Sequence, residues 1–220
     1  STGARNVTRE TKLNAAIGLT LLIIPLWAWF ADEPFIITLA TKVAILALAG
    51  VGLNIALGLG GLVSLGHAAF FGLGGYAMGI LASHDQSFAP LMEAPFLIEG
   101  TKSMPVIWII AILAGSLGAL LIGVLSLRTT GVYFIMVTLA FGQMFYYFAI
   151  SWPAYGGEDG LSIYVRNGFP GLNTLDPLQY LILCYVVLFI VLFLSSRLAK
   201  SAFGLALGGA RQNAERVQTV

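Results

Sequence analysis

Between Val43 and His84 the chain runs for 42 residues without an Asp, Glu, Lys or Arg. At about 1.5 Å per residue, one helix of that length would reach roughly 63 Å, about twice the ~30 Å hydrocarbon core of a bilayer. Such a run crosses a membrane twice and must reverse within itself. Four glycines, Gly58, Gly60, Gly61 and Gly66, crowd its middle, in the stretch GLNIALGLGGLVSLGHAAFFGLGGYA over residues 52–77. A loop, a re-entrant turn and a broken helix all fit residues 58–66. Non-helical backbone survives at membrane depth only when packed in protein or facing a wet cavity.

Charged residues make up 10% of the chain and hydrophobic ones 58%, against about 25% charged in a soluble domain. The shortage extends along most of the sequence and leaves no room for a sizeable soluble domain. A net charge of +1 argues against a nucleic-acid partner. Cys184 stands alone in an apolar run, so it forms no internal disulfide or Cys-based metal site and reads as a small buried hydrophobe.

The gaps between charges predict an all-α integral membrane protein, a polytopic helical bundle of about six transmembrane helices. They lie near residues 13–31, 43–59, 62–83, 104–125, 131–152 and 178–196, with the glycine break between the second and third. With the N-terminus in the cytoplasm, Arg5, Arg9, Lys12, Arg128, Arg197, Lys200, Arg211 and Arg216 fall inside; only Lys42, Lys102 and Arg166 fall outside. That bias supports both termini inside. The outer segment 154–177, with Gly156, Gly157, Gly160, Pro170 and Pro177, carries turn formers. It suits an ordered loop over a pathway mouth or against another subunit.

None of these spans has a Lys, Arg, Asp or Glu near its middle, which disfavours an ion-driven relay. No phosphate-cradling G-x-x-x-x-G-K-[ST] is present, and His67 and His84 form no catalytic constellation with other groups. The polar residues inside spans are Asn54, Ser64, His67, Thr138 and Gln143. Interhelical hydrogen bonding is the bland account of them; lining a passage for a polar solute is the functional one. Asn54 and His67 flank the break and are the favoured pair. Two small-residue patterns suit close helix packing: Gly75 with Gly79, and Ala111, Gly115, Ala119 and Gly123 at four-residue spacing. Residues 210–217 suit a short polar helix, either a plain interfacial end or a docking helix using Arg211, Glu215 and Arg216.

The run from Leu53 to Tyr76 resembles the permease subunits of branched-chain amino-acid ABC importers, the LivH/LivM type. Leu53, Asn54, Gly58, Gly61, Ser64, Gly66, His67, Ala68, Ala69, Phe70, Gly72, Gly74 and Tyr76 fit that pattern, and Gly75 replaces its usual alanine. LRTTGVYFIMVTLAFGQ (127–143) is similar to the LivM-side pattern. YGGEDGLS (155–162) is similar to a T-G-G-x-D-G-L loop, with Tyr155 in place of Thr. SAFGLALGGARQNAERVQTV (201–220) resembles the family's cytoplasmic coupling region, with Gly209, Ala210 and Ala214 as departures.

The resemblance implies a non-enzymatic transport subunit of an ATP-driven importer in a bacterial inner membrane, working by alternating access on branched-chain amino acids. Partners would be a second related permease, two cytoplasmic ABC ATPases holding ATP and magnesium, and a periplasmic binding protein; this chain would carry no cofactor. Asn54, Ser64, His67, Thr138 and Gln143 become the expected substrate pathway, and Arg211, Asn213, Glu215 and Arg216 the expected ATPase coupling residues. Family members continue with further spans, so residues 1–220 would be one incomplete permease domain, with 197–220 its coupling segment. Urea or short amides are alternative substrates within the family. A standalone facilitator for a small neutral solute is the competing class.

Overall fold

The structure is a computed structural model that describes residues 18–27, 30, 33–61, 64–87, 100–126, 128–129, 131–164 and 166–212. Seven α-helices occur among the described residues: α1 (Gly18–Trp27), α2 (Pro34–Asn54), α3 (His67–Ser87), α4 (Met104–Ser126), α5 (Val132–Ile150), α6 (Pro177–Ala199) and α7 (Ala202–Gln212). A π-helical turn, Ile55–Leu59, follows α2 directly. Four helical stretches are long and apolar enough to cross a membrane: Pro34–Gly58, Met104–Ser126, Val132–Ile150 and Pro177–Ala199. The chain is an all-α, multi-pass membrane protein. Large apolar side chains such as Leu117, Leu120 and Leu121 on α4 stand exposed, because a lipid-facing surface gains nothing by hiding them.

Several boundaries differ from expectation. The second helix starts at Pro34, nine residues before the expected Val43, and therefore contains Lys42, whose side chain is exposed. A charge marked the edge in the sequence. Helix is nevertheless favoured on both sides of Lys42, and a lysine stem can carry its ammonium along the helix toward water. The third helix starts at His67 rather than residue 62, and it continues through His84, Asp85 and Gln86 to Ser87. Its four glycines and polar last turn dilute its hydropathy, so it is absent from the four strongly apolar stretches. Of the first span, residues 18–27 and 30 are described, with helix at Gly18–Trp27. The last helix starts at Ala202, eight residues before the expected 210, and is described as far as Gln212; residues 213–217 of the expected helix lie outside the described part.

The chain divides into two compact units: residues 1–50 with 175–194, and residues 51–174 with 195–220. In the first, Ile37, Ala40 and Leu181 form a small core flanked by Ile36 and Tyr185. The Tyr185 hydroxyl donates to the Leu21 carbonyl at 2.6 Å, fixing α1 to α6.

In the second unit α3 packs along α4. A Cβ on Gly74 would lie 3.9 Å from the Ala111 Cβ, and one on Gly115 3.8 Å from the Phe70 carbonyl oxygen. Ala111 and Gly115 thus serve the contact, as the four-residue pattern suggests. Ala119 is exposed and Gly123 meets nothing within 4 Å; the seam passes instead to Gly118 and Ile122. The reason is helical geometry: four-residue steps drift about 40° each at 3.6 residues per turn. Gly75 also faces open space, and Gly79 sits beneath Leu161 of the loop between α5 and α6.

Candidate solute pathway and coupling helix

The glycine run is a broken helix. Gly60 caps the π turn with helical backbone, its N–H donating to the Ile55 carbonyl; Gly61, at φ +64°, turns the chain out of the helix, and helix resumes at His67. The connection returns against α5. A Cβ on Gly66 would collide with the Thr138 carbonyl oxygen, and one on Gly142 would lie 3.5 Å from the Gly66 Cα. Only glycine permits that backbone-to-backbone approach, which supplies the protein packing that irregular backbone needs at membrane depth.

The five expected pathway residues separate around this break. His67 lays its ring over α2, 3.6 Å from where a Gly52 Cβ would stand, and meets Phe70 edge-on at 6.0 Å. Asn54 ends α2 and is exposed; its amide oxygen would be 2.9 Å from a Cβ on Gly58. Gly52 and Asn54 are about 200° apart around the helix, so the face that receives His67 is not the face that presents Asn54. The favoured pair therefore flanks the break without converging. Ser64 is half-buried in the connection. Thr138 is buried, and its hydroxyl donates to the Ile135 carbonyl of its own helix at 3.0 Å.

Gln143 is the one of the five that lines the main cavity of this unit. That space, about 430 Å³, runs between α3 and α5 from Leu65 and Gly66 at the break to Trp152 at the start of the α5–α6 loop. On α3 its wall is Ala69, Gly72, Leu73, Tyr76 and Ile80, spaced by three or four residues on one helical face. On α5, Leu139, Gly142, Gln143, Tyr146 and Ala149 do the same. Reasoning from the sequence weighted polar residues and passed over Gly72, Tyr76, Tyr146 and Trp152. The three-four periodicity of their small and aromatic members was the available signal.

Aromatic side chains gather at the end near the α5–α6 loop. Tyr155 packs edge-on to Trp152 and Tyr76, with ring centroids at 5.0 and 6.3 Å, and its hydroxyl lies 3.0 Å from His84 Nε2. Tyr155 is the residue that departs from the family loop pattern, and it ties that loop to the last turn of α3. The loop is stitched to α4 as well: Met104 N–H donates to the Gly168 carbonyl at 2.9 Å, and Gly168 N–H to the Lys102 carbonyl at 2.8 Å. Lys102 pairs with Asp85 at 2.8 Å. The loop is ordered, with two short 3-10 turns at Pro153–Tyr155 and Gly157–Asp159.

At the opposite end of the unit α7 touches the break. A Cβ on Gly60 would stand 3.7 Å from Leu207 Cδ2. Phe203 and Leu205 of α7 are exposed at 62% and 70%; two residues apart, they stand on different sides of this short helix. Of the four expected coupling residues, Arg211 lies in α7; Asn213, Glu215 and Arg216 lie outside the described residues.

Residues 35–220 match the model of a family described as branched-chain amino acid transport system / permease component. Among curated proteins, the chain is 29% identical over 127 residues to the high-affinity branched-chain amino acid transport system permease protein LivM of Escherichia coli K12. That match covers 57% of this chain and 26% of LivM. The LivM of Salmonella typhimurium LT2 matches at 29% over 131 residues, with the same coverage. The chain thus matches about a quarter of the length of these relatives. No solved structure matches.

Proposed function

Because the chain belongs to the permease-component family of branched-chain amino acid transport systems, we propose that it is one membrane subunit of an ATP-driven importer for branched-chain amino acids. In this reading a second, related permease completes the pathway. Two cytoplasmic ATPases bind ATP and magnesium, and a periplasmic protein delivers solute to the outer face in a bacterial inner membrane. The N-terminus and α7 lie in the cytoplasm.

The observation that carries this reading is the contact of α7 with the break. Leu207 reaches Gly60, and the π turn above it leads into α2. A π turn within a long helix marks a place where the backbone is already departing from the α ladder, a frequent property of functional sites. A push on α7 from a docked ATPase is delivered to the segment that links α2, α3 and α5. Alternating access then amounts to a shift of packed helices around the pathway, without covalent chemistry in this chain. The end of α7 and the residues that follow it, with Arg211, Glu215 and Arg216, form the docking surface.

The test is a tagged pull-down of the full-length protein from native membranes in mild detergent, with mass spectrometry. The reading expects a P-loop ATPase and a second permease in stoichiometric amounts. Recovery of this protein alone, under conditions that preserve known importer complexes, would refute it in favour of a standalone facilitator.

A further inference from the structure

Two cavities of similar size contrast in chemistry. The one between α1 and α6, about 480 Å³, is walled by hydrocarbon such as Leu22, Leu26, Leu181 and Val186; its tyrosine, Tyr185, has its hydroxyl engaged by the Leu21 carbonyl. That is a slot for an acyl chain and says nothing of transport. The cavity between α3 and α5 is also mainly apolar, but Gln143, Tyr76 and Tyr146 are among the residues that line it. Tyr76 holds the Ala149 carbonyl only at 3.5 Å, and the Gln143 side chain makes no hydrogen bond among the described residues. Gln143 and Tyr146 stand exposed on this open-sided wall, and an acyl chain lying along it would leave the Gln143 amide facing hydrocarbon, a costly arrangement. An apolar body with a polar end satisfies both kinds of wall, and about 430 Å³ lies in the range of small-molecule sites.

Gly72 has a particular place in this cavity. It lines the wall midway along, and a Cβ added there would meet nothing within 4 Å. The space beside it is therefore real, and side chains introduced at this position grow into the cavity rather than into protein. This differs from Gly66, Gly118 and Gly142, whose open side is filled by a neighbour.

We propose that the α3/α5 cavity is the chamber that holds the solute in transit, with Gly72 setting how large an aliphatic side chain it accepts and Gln143 meeting the solute's polar end. This rests on the importer reading above and adds to it the place and the size-setting residue. The chamber joins the break at Leu65 and Gly66 to the Trp152–Tyr155 cluster, so motion delivered by α7 reaches its inner end and loop motion its outer end.

The experiment uses the complete transporter complex in proteoliposomes, in a Cys184→Ser background. Gly72→Cys should react with a small methanethiosulfonate reagent, and leucine should slow that reaction severalfold. Gly75→Cys, which faces open space off the cavity, should react at a rate that leucine does not change. Gly72→Leu should lower leucine uptake about tenfold or more, while Gly72→Ala, which fills little of the chamber, should retain most of it. Failure of Gly72→Cys to react, reaction without leucine protection, or full uptake by Gly72→Leu would each overturn the proposal and leave lipid as the occupant. Failure of the importer reading is distinguishable, because the unmutated complex would then show no nucleotide-dependent uptake.

Discussion

Replacing Gly66 by alanine tests the idea that the break is held by direct backbone contact. The new methyl would overlap the Thr138 carbonyl oxygen, with the carbonyl carbon at 2.9 Å and the Thr138 Cβ at 3.3 Å. None of these atoms belongs to a flexible side-chain end, and Gly142 closes the same side through its approach to the Gly66 Cα. Relief therefore requires the connection or α5 to move. Overpacking of this kind costs about 1–3 kcal/mol, or roughly 5- to 150-fold in the folded ratio at about 1.4 kcal/mol per decade. Gly75→Ala is the control: its methyl meets nothing within 4 Å, and glycine to alanine inside a helix gains about 0.5–1 kcal/mol. The assay is the thermal midpoint of the monodisperse peak of detergent-solubilised protein. Gly66→Ala should fall below the unmutated protein and Gly75→Ala should match or exceed it. Equal midpoints for the two variants would refute the packing argument.

Tyr155→Phe keeps the ring contacts with Trp152 and Tyr76 but removes the His84 hydrogen bond. A loss of about 0.5–1.5 kcal/mol in local stability should follow, read as faster hydrogen exchange confined to the α5–α6 loop. Asp85→Asn breaks the pair with Lys102, whose side chains are 24% and 45% exposed; a partly solvated pair contributes no more than about 1 kcal/mol, so the melting midpoint should barely change. Leu207→Ala, which removes the contact at Gly60, should reduce uptake while the bound ATPase still hydrolyses ATP; uptake and hydrolysis falling in equal measure would count against transmission through this contact. Arg211→Ala and Glu215→Ala should likewise separate hydrolysis from uptake with the membrane fold intact, and normally coupled uptake in both would remove them from the docking surface.

Much of the fold was legible because apolar length is a strong signal. The helices Met104–Ser126, Val132–Ile150 and Pro177–Ala199 fall within a few residues of the spans read from charge gaps. The same rule failed at Lys42, where one exposed cation inside a continuous helix looked like an edge. It also misplaced the α3 start, because hydropathy is blind to the backbone turn at Gly61 that forces the break. The site was less legible. Polar residues in apolar runs were the natural candidates, yet Thr138 spends its hydroxyl on its own helix and His67 packs over Gly52. What shapes the cavity is the absence of a side chain at Gly72 together with aromatic walls. A glycine that creates space and a glycine that allows contact look alike until the neighbour across from each is known.

In the proposed reading this chain moves solute only when nucleotide is spent on a partner. Its most direct test is uptake of labelled leucine into proteoliposomes holding the purified complex, the binding protein on the outer face and ATP-magnesium supplied or withheld at the α7 face. Uptake that needs nucleotide, and disappears when the ATPase subunits are omitted, is the predicted result. Equilibration of leucine by this protein alone, without nucleotide, would contradict the account.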